Sequence, residues 1–380
     1  MERILITPRN KWQAQVESQG FIFHTPKSDE IYWDESAAYK FTAEEVDTLE
    51  TATVEVYDMF LQAAQRIIDE NLFYRLKIPE NIIPYLKDSW NQETPAIYGR
   101  FDFSYSGGSS VPKLLEFNAD TPTSLFEAAI IQWYWLQSYD KTQDQFNSIH
   151  EKLVDYWAYL KNYLKGGKVY FACVKENIED FTTTEYLRDC CMQAGIETQF
   201  IDIAMVGYNA NLNQFVDEKD QPIHNLFKLY PWEWLANESF CNYFSNDICL
   251  LIEPAWKMLF SNKAVLPLLY EMFPHSEYLL PAFFDSHGMT DYVKKPILSR
   301  EGANVAIYKG GKPIEVSGGE YGSEGYVFQA LAELPNFDNN YPVIGSWVIG
   351  QKPAGIGIRE ANTLITNDKS RFIPHFIETL

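Results

Sequence analysis

The sequence predicts a mixed α/β fold, and three segments carry that prediction. Residues 41–73 place apolar side chains at helical spacing behind Thr42, and Glu45 completes a capping-box pattern, which indicates an amphipathic helix. Residues 98–120 alternate apolar and polar side chains on both sides of a Gly/Ser-rich turn, as a β-hairpin does. Residues 168–203 have the strand–helix–strand pattern that is typical of a βαβ unit.

Length and composition describe a folded chain with room for a large core. Its 380 residues are 46% hydrophobic and 16% aromatic, which excludes a disordered chain. No apolar run approaches the roughly 20 residues that a membrane span needs. The first residues, MERILITPRNKW, lack the apolar core of a signal peptide. We therefore expect a cytoplasmic protein with no membrane partner.

The charge balance argues against a nucleic-acid partner. The chain has 31 Lys and Arg residues against 52 Asp and Glu residues, and its formal net charge is -21. This charge repels nucleic-acid phosphates and anionic membrane surfaces. It would favour a cationic small molecule such as a polyamine, but an acidic surface also serves simply to keep a protein soluble.

The cysteines and histidines give no support for a zinc site. None of the cysteines forms a CxxC pair, and the six histidines show no HExxH or paired metal-ligand spacing. The cysteines lie in apolar segments and are odd in number, so we expect buried free thiols at Cys173, Cys190, Cys191, Cys241 and Cys249.

The predicted hairpin places four polar side chains on one face. If its turn closes near Ser109, Arg100 lies opposite Asn118 and Asp102 lies opposite Glu116, with Cβ atoms about 5 Å apart. Like charges in opposite positions destabilise a sheet, so a positive group is expected between them. Two carboxylates and an amide oxygen suit Mg²⁺ in a nucleotide-using enzyme. A solvated polar face with Arg100 as counterion is equally compatible with the pattern.

The segment after the hairpin, residues 121–137, predicts a buried helix. Pro122 is placed near its start, and the residues that follow are apolar nearly all round. Because this start follows Asn118 and Asp120 directly, its free backbone N–H groups would face an anionic ligand such as a carboxylate or phosphate.

Motifs in the rest of the chain are weaker taken one at a time. The βαβ unit lacks GxGxxG and GxxxxGK[ST], which argues against a dinucleotide fold and a P-loop. Lys263 begins an apolar helical run and Lys295 lies in or beside a strand, although a single lysine is usually a solvated surface group. Near the C-terminus, Gly355 and Gly357 alternate with isoleucines on the face from which Arg359 projects. Such a face marks close approach of a ligand or of another backbone, or it is a glycine-softened bulge with an exposed arginine.

Seven motifs together carry a family resemblance. In chain order they are GRFDF, KLLEFNADTPTSLFEAA, EPAWK, NKAVLPLLYEMFP, KKPI, REGANV and GIGIRE. This series, which covers nearly the whole chain, resembles the glutathionylspermidine synthase family and specifically its stand-alone synthetase-like members. The resemblance implies an ATP-grasp-like fold and an ATP- and Mg-dependent ligase that joins a small-molecule or peptide carboxylate to an amine through an acyl phosphate.

The resemblance also implies a domain organisation. We expect one synthetase domain over residues 1–380. Its lobes would be an N-terminal helical region, a metal-binding hairpin with its buried helix, an α/β substrate lobe and a nucleotide-binding region, at residues 1–95, 96–165, 166–255 and 256–380 respectively.

Roles for individual residues follow from the same resemblance. The magnesium ligands would be Asp102, Glu116 and Asn118, and the two catalytic arginines beside the transferred phosphoryl group would be Arg100 and Arg359. The ATP-binding residues would be Arg100, Lys263, Lys295, Glu301 and Gly302 of the loop over the phosphates, and Gln329, which begins the adenine-holding segment. Thr121 would contact the peptide substrate.

Some features depart from the family pattern. The chain has no cysteine before Cys173, so we do not predict the amide hydrolysis of the two-domain members. Ser299 stands where the phosphate loop is expected to have glycine, and residues 173–256 match no motif. Two alternatives therefore stay open: a non-catalytic protein that binds nucleotide and peptide, and a ligase for a different acid and amine.

Overall fold

The computed structural model describes residues 1–26, 30–367 and 369–379. The α-helices of this part of the chain are α1 (Trp12–Ser18), α2 (Ala43–Asp69), α3 (Ile83–Asn91), α4 (Gln132–Tyr139), α5 (Ile149–Leu160), α6 (Ile178–Gln193), α7 (Trp232–Leu235), α8 (Met258–Ser261) and α9 (Val265–Met272).

The strands are β1 (Glu2–Leu5), β2 (Ala37–Phe41), β3 (Tyr98–Ser104), β4 (Lys113–Asn118), β5 (Lys168–Cys173), β6 (Glu197–Asp202), β7 (Gly207–Asn209), β8 (Gln214–Val216), β9 (Asn225–Leu229), β10 (Leu250–Ile252), β11 (Ala282–Phe283), β12 (Tyr292–Pro296), β13 (Ala306–Lys309), β14 (Lys312–Val316), β15 (Tyr326–Ala330), β16 (Tyr341–Ile349), β17 (Lys352–Ala361), β18 (Arg371–Ile373) and β19 (His375–Ile377).

These strands form three larger sheets. An antiparallel sheet, which we call the site sheet, has the order β18-β17-β16-β3-β4. A parallel sheet has the order β10-β9-β5-β6, and a second antiparallel sheet has the order β11-β15-β12-β13-β14. Smaller sheets join β1, β2 and β19, and β7 with β8. The fold is mixed α/β, as the sequence predicts.

The predicted capping-box helix is α2, and it covers the back of the site sheet. Its cap is complete, because Glu45 N–H donates to Thr42 Oγ1 at 3.3 Å and Thr42 N–H donates to a carboxylate oxygen of Glu45 at 3.0 Å. Phe60 of α2 packs edge-to-face on Phe101 and Phe117, with ring centroids 5.5 and 5.2 Å away. Since side chains alternate along a strand, this packing leaves the polar residues of β3 and β4 on the opposite face.

The βαβ prediction is confirmed by β5, α6 and β6. The two strands pair in parallel over their full length, from Lys168 with Glu197 to Cys173 with Asp202. The five cysteines are free and buried, as predicted.

The helix predicted near Pro122 starts later and is less buried than expected. Helical structure begins at Leu125, because Ser124 adopts a left-handed conformation with φ of 68°. A π-helical turn, Glu127–Ile131, leads into α4. Trp133 and Tyr134 of α4 are exposed. Residues 121–124 therefore form a loop that lines the site, where the sequence predicts a helix N-terminus.

The region before residue 96 contains strands β1 and β2 besides its helices, so it is not purely helical. The lobe boundaries stay a prediction, since one hydrophobic core cluster runs from Ala37 to Ile373 through all four predicted lobes. None of the helices in the described ranges combines the length and apolarity that crossing a membrane requires. The cytoplasmic location stays a prediction.

Candidate active site

The predicted register of the hairpin is confirmed. Arg100 pairs with Asn118 and Asp102 pairs with Glu116 across β3 and β4, and a β-bulge follows Asp102. The Asn118 side-chain amide lies 3.0 Å from an oxygen of Asp102 and 3.3 Å from an oxygen of Glu116. The three side chains named as metal ligands therefore converge on one face of the site sheet.

Arg100 is the direct counterion of Asp102. Its Nε lies 2.7 Å and its Nη2 lies 3.2 Å from the two carboxylate oxygens, and its Nη1 donates to the Thr123 carbonyl at 2.7 Å. The side chain lies flat across β16, where a Cβ atom at Gly345 would be only 2.7 Å from Arg100 Cδ. Glycine at this strand position is what gives the arginine room.

Two lysines from other parts of the chain complete the charge arrangement. Lys263 Nζ lies 3.1 Å from Glu116 and donates to the Ser299 carbonyl at 2.9 Å. Lys295 Nζ donates to the Leu115 carbonyl at 3.0 Å. Burial opposes ionisation of Glu116, but the charges of Lys263 and Lys295 outweigh it and lower its pKa to about 2. Glu116 is therefore a carboxylate at neutral pH.

The same side chains have the chemistry to hold a divalent cation. Burial raises the pKa of Asp102 despite its arginine partner. A further positive charge beside this carboxyl would therefore be favourable. Three of the four carboxylate oxygens of Asp102 and Glu116 accept a single contact, so acceptor capacity remains. Within the described ranges, no three His, Cys, Asp or Glu side chains converge on a metal position. The third ligand here would have to be Asn118, with its amide turned so that Oδ1 replaces the Nδ2 that now donates to both carboxylates.

A cavity of about 410 Å³ opens beside these residues between β12, β13, β15 and the 364–366 segment. Apolar side chains supply most of its walls, including Val293, Ile307, Leu331 and Ile365. Lys295 reaches it from β12, and burial lowers the pKa of this lysine to about 8. An apolar slot with a cation at one end suits a nucleotide, whose base is flat and whose phosphates are charged.

Gln329 lines this cavity, but its side chain bonds to other protein groups. The sequence did not indicate this supporting role. Its Oε1 accepts from Lys295 Nζ at 2.8 Å, and its Nε2 donates to the Leu114 carbonyl at 3.0 Å. The Leu114 carbonyl thus orients the side-chain amide, and the amide oxygen in turn holds the lysine. Further along the same segment, the backbone N–H groups of Ala332 and Leu334 line the cavity and donate to no described residue.

The loop of residues 299–302 separates this cavity from a second one. Glu301 and Gly302 both have positive φ, and a Cβ atom at Gly302 would lie 2.5 Å from the Thr366 carbonyl oxygen. Only glycine permits that approach. The Ser299 hydroxyl is buried and has no hydrogen-bond partner within the described chain. Arg300 Nη2 donates to Thr121 Oγ1 at 2.7 Å, which places the predicted substrate residue at the foot of this loop.

The second cavity measures about 720 Å³, and charged side chains line several parts of it. Arg100, Thr121 and Arg359 line one part of it. Register places Arg359 opposite Val343 on β16, so it shares its face of the site sheet with Asp102 and Gly345. Protein approaches both glycines that the sequence indicated near Arg359: a Cβ atom at Gly355 would meet the Phe146 carbonyl, and one at Gly357, which also lines the cavity, would meet the Phe372 ring.

Acidic side chains form another wall of this cavity, which we call the acidic wall (Glu179, Asp180 and Glu233). Burial, with help from neighbouring carboxylates, raises the pKa of Glu179 to about 7. Burial likewise raises the pKa of Asp180 to about 6 and raises that of Glu233. Trp234 and Tyr230 lie beside them. No sequence signal marks this wall, because the lobe that carries it matches no family motif.

Two buried ion pairs that hold the site in place were also missed. Lys228 of β9 lies 2.8 Å from Asp120, at the end of the hairpin, and both side chains are buried. Glu253 of the EPAWK motif pairs with Lys257 at 2.8 Å and accepts the backbone N–H of Tyr98 at the start of β3. The charged side chains of this motif therefore hold the start of β3 in place and do not face a ligand.

The two cavities meet at a common boundary that includes Asp102, Glu116, Lys263, Glu301 and Gly302. A slot large enough for a nucleotide and a polar chamber therefore share the paired carboxylates of Asp102 and Glu116. The fold is shared with a solved structure: a glutathione synthetase-like effector from Globodera pallida superposes with a TM-score of 0.57, at 11% identity, over 89% of both chains.

The chain belongs to the family described as glutathionylspermidine synthase pre-ATP-grasp, whose model matches residues 3–378. A Haemophilus influenzae protein named "Putative acid--amine ligase" is 41% identical over 99% of both chains. Trypanothione synthetase of Crithidia fasciculata is 29% identical over 84% of this chain, and the bifunctional glutathionylspermidine synthetase/amidase of Escherichia coli is 25% identical over 96%. This chain spans 53% and 63% of the latter two. The predictions of this family and of an ATP-dependent C–N ligase are confirmed.

Proposed function

We propose that the protein uses ATP and Mg²⁺ to join a small or peptide carboxylic acid to a cationic amine, through an acyl phosphate. The observation that carries the proposal is the shared boundary of the two cavities at Asp102, Glu116 and Lys263. A phosphoryl group that leaves a nucleotide in the smaller cavity would meet an acid in the larger one at that boundary.

The chemistry requires such a boundary. A carboxylate is too poor an electrophile to acylate an amine in water, so the γ-phosphoryl group of ATP must first be transferred to it, with release of ADP. The amine then attacks the acyl carbon, phosphate leaves, and one proton is released. Both steps depend on positioning and on neutralising charge on oxygen.

The residues at the boundary meet these needs. Lys295 and Lys263 would hold the phosphates of the nucleotide, and the loop of Glu301 and Gly302 would cover them. Arg100 and Arg359 would face the transferred phosphoryl group and the developing oxyanion from the shared face of the site sheet. Thr121 would orient the acid.

Asp102, Glu116 and Asn118 would hold the metal ion. When bound there, Mg²⁺ would neutralise charge on the phosphate oxygens. Glu116 favours this role because the pKa of its carboxyl is about 2, so no proton has to be displaced at neutral pH.

The acidic wall supports an amine that carries more than one positive charge. A pKa of about 7 for Glu179 and about 6 for Asp180 reflects crowded, partly desolvated acids, and a cation between them would relieve the repulsion. Trp234 beside the wall, whose ring already lies 5.8 Å from the guanidinium of Arg300, would add apolar contact for a methylene chain. A polyamine combines these features, and relatives named trypanothione synthetase and glutathionylspermidine synthetase/amidase make glutathione and spermidine the first pair to test.

The test measures phosphate released from ATP and amide product formed, for the intact protein with panels of acids and amines. We expect one acid and one polyamine to stimulate release together, with one phosphate per amide bond. Productive turnover with an unrelated pair would keep the reaction and change the substrates. A protein that binds ATP but releases no phosphate with any pair would be a binding protein, and the ligase proposal would fail.

The metal assignment has a separate test. Asp102→Asn keeps the size of the side chain and removes its charge, so we expect Mg²⁺-dependent turnover to fall at least about a hundredfold. Asp58→Asn, an exposed change on α2, is the control for loss of one acidic charge. Unimpaired turnover by Asp102→Asn would refute the assignment.

A further inference from the structure

Arg359 is held by neutral groups and not by a carboxylate. Its Nε donates to the Ser370 carbonyl at 3.0 Å, its Nη2 to the Asn367 carbonyl at 2.9 Å, and its Nη1 to Ser124 Oγ at 3.2 Å. No carboxylate of the described chain lies within ion-pair distance of it. Three of its five N–H groups are used and two remain for a ligand. The guanidinium is therefore oriented without a direct ion pair, and its charge acts on the carboxyl groups of Asp102, Glu127 and Glu179 only from a distance.

A buried chain of hydrogen bonds continues from Ser124 away from the cavity. The Tyr32 hydroxyl lies 2.9 Å from Ser124 Oγ and donates to Glu127 Oε1 at 2.7 Å. Ser124, Tyr32 and Glu127 are 4%, 3% and 2% exposed, so water does not compete for these bonds. The Arg359 guanidinium also lies over the Tyr32 ring, 5.1 Å from its centroid.

The direction of each hydrogen bond in this series follows from the bond between Tyr32 and Glu127. Because Tyr32 has one hydroxyl proton and gives it to Glu127, the Ser124 hydroxyl must donate to the Tyr32 oxygen. The lone pairs of Ser124 are then free to accept from Arg359. Because Glu127 accepts from Tyr32, Tyr32 accepts from Ser124, and the Ser124 oxygen is left to accept from Arg359.

The backbone is shaped to bring these groups together. Ser124 has φ of 68°, a left-handed conformation that is uncommon for a residue other than glycine. Glu127 begins the π-helical turn Glu127–Ile131, and such turns occur frequently at functional sites. Burial raises the pKa of Glu127, which agrees with a carboxyl placed in a low-dielectric interior for a specific contact.

We propose that Tyr32, Ser124 and Glu127 form a positioning unit that holds Arg359 at the angle required for phosphoryl transfer and acyl transfer, while its charge stays available to the reacting oxygens. This inference rests on the proposed function, since it assigns the unit to the arginine of that site. None of the three residues needs to touch substrate. Tyr32 comes from the N-terminal region, and none of the residues described before position 96 lines either cavity.

The test combines Tyr32→Phe with Arg359→Lys. Tyr32→Phe keeps the ring and removes only the hydroxyl, so we expect kcat to fall about tenfold with the KM for ATP changed less than about twofold. In the Arg359→Lys background, Tyr32→Phe should change kcat less than about twofold, because the group through which it acts is gone. Glu127→Gln retains an acceptor for Tyr32 and should keep most of the activity, whereas Glu127→Leu should match Tyr32→Phe.

Tyr170→Phe is the matched control. Tyr170 lies on β5 of the parallel sheet, and its buried hydroxyl also donates to a carboxylate, that of Asp217. It should lose comparable thermal stability without losing kcat. Equal kcat losses for Tyr32→Phe with and without Arg359→Lys, or wild-type kcat for Tyr32→Phe, would overturn the inference alone. Wild-type kcat for Arg359→Lys would overturn it together with the role of Arg359 in the proposed function.

Discussion

Gly345 offers a sharp test of how Arg100 is positioned. The glycine lies on β16 directly opposite Asp102, and its backbone does not adopt a positive φ, so alanine is compatible with the strand. The added methyl group would lie 2.7 Å from Cδ and 3.2 Å from Nε of Arg100. Carbon atoms in contact are normally about 3.5–4.0 Å apart. The arginine must therefore move by roughly 1 Å.

A shift of about 1 Å is large compared with the range of distances over which the Arg100–Asp102 hydrogen bonds persist. Arg100 holds Asp102 through two N–H groups at 2.7 and 3.2 Å, and a shift of this size would break at least one of them. A 1 Å misplacement of a catalytic group costs on the order of 100-fold in rate. Stability should change little, because replacing glycine in a strand recovers about 0.5–1 kcal/mol of backbone entropy and offsets part of the repacking.

The assay measures kcat for amide formation and the thermal midpoint of Gly345→Ala beside Gly207→Ala. Gly207 lies on β7, and its added methyl group would make an ordinary contact with Val216 at 3.5 Å. We expect the control to retain full kcat and Gly345→Ala to lose about two orders of magnitude, with both proteins folded. Full activity of Gly345→Ala would show that the position of Arg100 does not limit the reaction.

Three further predictions address the cavity walls and their support. The KM for the amine should rise about tenfold from pH 8 to pH 6, because only the ionised form of Glu179, whose pKa is about 7, attracts a cation. Glu179→Gln should remove this pH dependence. Ser299→Ala removes a buried hydroxyl without a described partner, so chemical denaturation should show about 1 kcal/mol of added stability in the absence of ligands. Lys228→Met leaves the Asp120 carboxylate buried without its cation and should lower the free energy of unfolding by about 3–5 kcal/mol, whereas Lys228→Met with Asp120→Asn should recover part of the loss.

Sequence alone predicted the parts of the site that depend on local geometry. The alternation in β3 and β4 and the length of their turn were enough to place Asp102 opposite Glu116, because strand pairing across a hairpin leaves few registers. The same holds for the cap of α2 at Thr42, which involves residues three positions apart. The alternation in β17 also predicted which face of the sheet carries Arg359, but it could not predict which other segments pack on that face.

Contacts between distant segments could not be read in this way. Tyr32 and Glu127 are 95 positions apart, and Lys228 and Asp120 are 108 positions apart. No periodicity links such positions, and a lone tyrosine or lysine is usually unremarkable. The late start of the helix at Leu125 has a local cause, the left-handed Ser124, but the partners of that serine hydroxyl become visible only in the folded chain.

Residues that carry a family motif divide into those that can reach a ligand and those that hold others in place. Gln329 gives both ends of its amide to Lys295 and the Leu114 carbonyl, and Glu253 gives its carboxylate to Lys257 and the N–H groups that begin β3. Both side chains are buried and already bonded to protein groups, so we expect them to support the site and not to bind the nucleotide directly. Replacing Gln329 should therefore act through the lysine: a neutral acceptor is lost, the buried cation becomes harder to hold, and ATP binding weakens without any change in the preference for the base.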